Sequence, residues 1–95
     1  MADNSSMKNV SAVEQYGKNI ANVNQQMLQL FQKMRQQTQS VASYWDDDQY
    51  QQFSRDFDQD IMKKIQEISV KMEVFSKYVA EMVKIHRMAQ QQKYY

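Results

Sequence analysis

Two apolar repeats, each stepping alternately by three and four residues, run along this chain. In the first half Val13, Tyr16, Ile20, Val23, Met27, Leu30, Met34, Gln37, Val41 and Tyr44 follow that spacing. In the second half Ile61, Ile65, Ile68, Met72, Phe75, Val79, Met82, His86 and Ala89 repeat it. Such a pattern keeps one stripe of a helix turned toward a partner. Ahead of the second repeat, Tyr50, Phe53, Phe57, Ile61 and Ile65 advance by three and then by fours, a wider phase that predicts local unwinding of the supercoil within a continuous helix.

The spacing predicts helix one over about 10–43, a turn over about 44–47 and helix two over about 47–90. Residues 1–9 are expected to be a flexible segment and 91–95 a flexible tail, where the repeat has ended. Ser11 and Glu14 have the spacing of a capping box at the first helix, and Asp46 with Gln49 forms a second cap-like pair, with Asp46 or Asp47 capping helix two. So short a connector returns the second helix alongside the first, which makes the chain an all-α antiparallel helical hairpin. Leu28 and Phe31 flank the first stripe, and Met62, Val70, Val74, Tyr78, Val83 and Ile85 lie off the second. An apolar arc this wide is what a bundle helix shows, so two hairpins are expected to associate into a four-helix bundle, most simply a symmetric homodimer. Its expected core is Ile20, Met27, Leu30, Ile65, Ile68, Met72, Phe75 and Val79.

Composition narrows the class. The chain has 95 residues, no Pro, one Gly and no Cys, which opposes turns and strands and removes disulfides and thiolate chemistry. A mean hydropathy of -0.83 leaves no run long and apolar enough to span a bilayer. Its opening residues lack the basic and apolar regions of a cleavable secretion signal. The net charge of +1 hides a segregation: residues 45–60 carry Asp46, Asp47, Asp48, Asp56, Asp58 and Asp60 against Arg55, while the Lys residues concentrate beyond position 60. Helix dipoles account for part of this. Antiparallel packing of two hairpins would lay each Asp-rich tip near the Lys-rich open end of the other, favouring that orientation.

Candidate chemistry is sparse. Asp56, Asp58, Asp60 and Glu67 match positions 1, 3, 5 and 12 of a calcium loop, but Ile61 stands where that loop needs Gly, and the helical repeat continues through it. His86 is the single His and has no neighbouring ligand cluster, so no metal or cofactor is expected. Gly17 permits close helix approach or merely weakens helix one; Gln37 is either a buried amide that fixes register or a side chain that reaches water. Glu67, Glu73 and Glu81 interrupt the cations of helix two, which opposes nucleic-acid binding. No catalytic arrangement is visible, and the chain is expected not to be an enzyme.

Trp45 in the turn, followed by Tyr50, Phe53 and Phe57 between two helices of a chain this length, resembles the W-x-G family of early-secreted-antigen-like helical hairpins exported by type VII secretion systems. Asp47 stands where the family carries Gly, and the family's C-terminal Tyr-x-x-x-acid signal is not matched: Tyr78 is followed by Glu81 one position early. The resemblance implies a bacterial, non-enzymatic protein that acts through protein–protein interaction. It implies a homodimer or a heterodimer with a similar hairpin, secreted without a cleavable signal peptide or cytoplasmic before export, with secretion machinery or an effector as possible partners. The turn residues Trp45, Asp46 and Asp47 form the tip, where Trp45 serves as a corner anchor or contacts a partner directly. A structural subunit or cytosolic chaperone of another secretion apparatus is the alternative class, and a nucleic-acid-associated helical protein a third.

Overall fold

The computed structural model describes residues 7–92; positions 1–6 of the expected flexible segment and 93–95 of the expected tail lie outside the described residues. Helix α1 spans Val10–Val41. The returning arm comprises α2, Asp48–Asp56, a π-helical turn, Phe57–Met62, and α3, Lys63–Gln92. Among the described residues all regular structure is helical, and the arms form a hairpin 72 Å long and only 18 by 15 Å across.

The first cap sits away from the expected pair, and the second falls on one of the two Asp residues expected there. Asn9, extended in backbone, accepts the Ala12 N–H at 3.0 Å and starts α1 two residues before Ser11. Glu14 is thereby left inside the helix, where it pairs with Arg87 of α3 at 2.8 and 3.3 Å. At the tip Asp47, not Asp46, occupies the N-cap, accepting the Tyr50 N–H at 2.8 Å. Asp46 instead accepts from the Gln51 side chain at 3.0 Å.

The two arms meet along a heptad seam, but only one of its two lines is the line that apolar spacing picks out. Val13, Ile20 and Met27 of α1 face inward as expected; the alternate positions are filled by Gly17, Asn24, Phe31 and Thr38, each one residue beyond Tyr16, Val23, Leu30 and Gln37. In the returning arm Ile65, Met72, Val79 and His86 face inward, while Met62, Ser69, Ser76 and Val83 replace Ile61, Ile68, Phe75 and Met82. Small side chains make the shift possible. A Cβ on Gly17 would stand 3.0 Å from Val79 Cγ1, so the helices touch where this residue has none. Ser76 Oγ donates to the Gly17 carbonyl at 3.0 Å, and Asn24 Nδ2 to the Ser69 carbonyl at 3.1 Å. Asn24 Oδ1 is buried without a hydrogen-bond partner, a desolvation cost that an apolar residue would avoid. The buried amide of the seam is therefore Asn24, whereas Gln37 is exposed.

The π turn explains how the second arm changes phase. Phe57 and Met62 are both buried although they lie five residues apart, a spacing that one wide π turn accommodates and an α-helix does not. Ile61, the inward residue of a plain α-helix, is turned outward. Asp58, at the start of the same turn, accepts from Arg35 Nε of α1 at 3.0 Å and ties it to the opposite arm. The four acidic residues with calcium-loop spacing thus lie on continuous helix.

Candidate interaction surface

The seam residues displaced from the interior are the large apolar ones, and both displaced lines emerge on the same side of the hairpin. Tyr16 of α1 and Phe75 of α3 show this directly: their rings meet edge to face at 6.2 Å across the outside of the seam. Val23 and Leu30 continue the line along α1, Met34 and Val41 at the far end of the other line are also exposed, and Phe53, Ile61 and Ile68 run along the returning arm. Leu30 is 63% exposed and Phe75 47%. Of the expected bundle core, Ile65 and Val79 are buried within the hairpin, Ile20, Met27 and Met72 are half-buried at its edge, and Leu30, Ile68 and Phe75 face outward.

Scattered exposed apolar residues are normal on any protein, but an ordered stripe is not. From Tyr16 to Val41 the face runs about 40 Å at about 1.5 Å per residue. Across the full 18 Å breadth of the molecule, the side of the hairpin that carries this face spans at most roughly 700 Å², of the order of the approximately 800 Å² per partner of a standard protein interface. A second, narrower stripe of Val70, Val74, Tyr78, Ile85 and Met88 lies exposed on α3. Its helical phase sets it away from α1. Met62 and Val83, also off the predicted stripe, are buried.

At the tip, helix capping and aromatic packing share one carboxylate. Asp47 Oδ1 accepts the Tyr50 N–H, and Oδ2 accepts the Trp45 indole N–H at 2.6 Å. The Trp45 ring lies 5.2 Å from that of Tyr50 at an interplanar angle of 30°. Tyr50 is buried and its hydroxyl donates to the Thr38 carbonyl, closing the turn onto the end of α1. The indole is 51% exposed: it covers Tyr50 with one face and leaves the rest to solvent. Nothing in the apolar periodicity singles out Tyr50 as the anchor, since Phe53 and Phe57 have equal claims; the cap at Asp47, three residues earlier, is the signal that does.

The Tyr50 N–H, and after it the Trp45 indole, hold the Asp47 carboxyl below the usual carboxylate range. Arg87 does the same to Glu14, by hydrogen bond and then by charge. A carboxyl with a lowered native pKa contributes stability that is present at neutral pH and lost as pH falls through the carboxylate range. The urea midpoint of the protein is therefore expected to fall on acidification through that range. Asp47→Asn is expected to flatten part of this dependence, and an unchanged slope in that variant would show that the tip does not contribute.

No described helix is long and apolar enough to cross a membrane. An open groove beside the tip, lined by Ala42, Tyr50, Gln51, Ser54 and Arg55, encloses about 240 Å³; it brings together no nucleophile and base. Compared with protein-family models, with curated proteins and with solved structures, the chain matches none.

Proposed function

We propose that this chain is a non-enzymatic interaction protein, a W-x-G-like, secretion-associated hairpin that works as a four-helix-bundle dimer. The carrying observation is the outward apolar face, in which both helices present large side chains at heptad spacing on one side. A second hairpin placed against that face buries the displaced lines of both copies, as the knobs of a bundle core require. A second copy meets the requirement most simply, because a two-fold axis near Met27 and Leu30 matches the face to itself; a similar hairpin of different sequence is the other form of the same reading.

Charge favours the antiparallel arrangement. In a parallel pair the two Asp-rich tips would stand side by side, whereas the antiparallel pair separates them by nearly the 72 Å length of the molecule. Attraction between tip and open end contributes less than the sequence implies, because Arg87 is already held by Glu14. The association with export rests on the turn Trp and the hairpin architecture; recovery of the protein from culture medium without cell lysis supports it, and retention in intact cells counts against it.

The second stripe on α3 favours one further reading, a subunit of a polymeric secretion structure, in which two apolar surfaces per copy propagate contacts. Sedimentation velocity separates the two. A single discrete species of twice 11.4 kDa is expected, and filaments that grow with concentration would favour the subunit.

A further inference from the structure

The tip carries an aromatic surface that, apart from Phe53 at the end of the bundle face, the bundle does not use. Tyr44 is 89% exposed, and Trp45 and Phe53 each present about half of their surface to solvent at the same end of the molecule. Trp45 and Phe53 are held in place. Asp47 fixes the indole by its N–H, Tyr50 lies under the indole, and the Phe53 ring stands 6.1 Å from Tyr50. Rigid aromatic side chains lose little conformational entropy on binding, and Trp and Tyr are the residues that most often dominate interface energetics.

The surroundings are anionic. Asp46 and Asp48, beside Trp45 and Asp47 in the turn, are exposed, and Arg55 is the only cation in the segment 45–60. An acidic partner or an anionic lipid surface would be repelled, and a purely apolar one would strip water from the carboxylates without replacing it. A guanidinium or ammonium group meets both demands, lying over an aromatic face while its donors reach a carboxylate. The chain's own arginines do not supply it: Arg35 is held by Asp58, Arg87 by Glu14, and Arg55 donates to Gln52 Oε1 at 3.1 Å.

We propose that the hairpin tip is a docking site for an Arg- or Lys-rich segment of a partner protein, received on Trp45, Tyr44 and Phe53 and paired by Asp46 and Asp48. The site stands on tip geometry alone and does not require the dimer. In the antiparallel pair, two such tips would face outward at opposite ends.

The single Trp of the chain reports on the site. A synthetic peptide of alternating Leu and Arg, titrated into the full-length protein, is expected to shift Trp45 emission saturably, and its Leu–Glu counterpart is expected to leave the emission unchanged. By calorimetry, Trp45→Ala and the double variant Asp46→Asn/Asp48→Asn are each expected to weaken the Leu–Arg peptide by about tenfold. Tyr44→Ser, at a position too exposed to affect folding, is expected to weaken it measurably. Sedimentation of these variants is expected to match the parent, which separates failure of this site from failure of the bundle face. Three outcomes would overturn the proposal: no saturable response to the Leu–Arg peptide, an equal response to the Leu–Glu peptide, or undiminished affinity in both Trp45→Ala and Tyr44→Ser. The last would reduce the interaction to charge alone.

Discussion

Leu30→Asp is expected to dissociate the assembled protein while leaving the hairpin folded. Leu30 projects from the middle of the outward face with 63% of its surface exposed, so the hairpin itself depends little on it. In a two-fold pair centred near it, each copy would bury one uncompensated carboxylate, and leaving a charge buried without a partner costs about 3–5 kcal/mol. Since about 1.4 kcal/mol is tenfold in affinity, a weakening of at least roughly 100-fold follows. Sedimentation equilibrium should return a mass near 11.4 kDa, with helical circular dichroism retained. Val70→Asp, the same change on the second stripe of α3, should leave the dimer mass unaltered; if it dissociates the protein instead, the wrong face has been assigned.

The second large effect is expected inside the hairpin, at Tyr50. This side chain is buried between the end of α1 and the start of α2, carries Trp45 on one face, contacts Phe53, and hydrogen-bonds the Thr38 carbonyl. Truncating a buried aromatic to Ala costs about 3–5 kcal/mol, a large share of the roughly 5–14 kcal/mol available to a chain of this size. Tyr50→Ala should therefore lower the urea midpoint sharply and release the Trp45 ring, seen as a change in its emission. Tyr50→Phe keeps the ring packing and forfeits one hydrogen bond, about 1 kcal/mol. Equal losses in the two variants would mean that the hydroxyl, not the ring, anchors the tip.

Much of the architecture is legible in the spacing of apolar residues. A break at Tyr44 to Asp47 between two long repeats, with no Pro and one Gly, leaves few alternatives to a helical hairpin. The face each helix turns to the other is only half legible. Apolar periodicity finds the larger side chains, and at Tyr16, Val23, Ile68 and Phe75 those lie outside the intramolecular seam. Beside Phe31, Met62 and Val83, the inner line is built from Gly17, Asn24, Thr38, Ser69 and Ser76, residues that hydropathy reads as surface. Close helix approach, not bulk, selects them: Gly17 has no side chain to hold Val79 away, and the serines are short enough to hydrogen-bond or turn aside. Gly17 in a long helix and Ser at positions 69 and 76, one heptad apart, were the available signals. The π turn is harder still to read, because the wide phase from Phe53 to Ile65 fits a slightly unwound α-helix as well as one inserted residue. Burial of Met62 in place of Ile61 distinguishes them, and only tertiary contact with α1 decides it.

Tip chemistry follows the same division. The Asp run marks a helix start, but which Asp caps is set by the indole of Trp45, whose N–H binds the same carboxylate and fixes the cap at Asp47. Of the carboxylates with calcium-loop spacing, Asp58 reaches Arg35 across the seam and Asp56 accepts from Gln52.

The central claim is that the large apolar line of each repeat is turned away from its own hairpin and closed by a second one. Sedimentation equilibrium of the unaltered chain across a dilution series into the low micromolar range tests it most directly. A mass of twice 11.4 kDa, falling toward the monomer only in Leu30→Asp, is the predicted result. A monomer that stays well folded at every concentration, with the outward face in water, would contradict it.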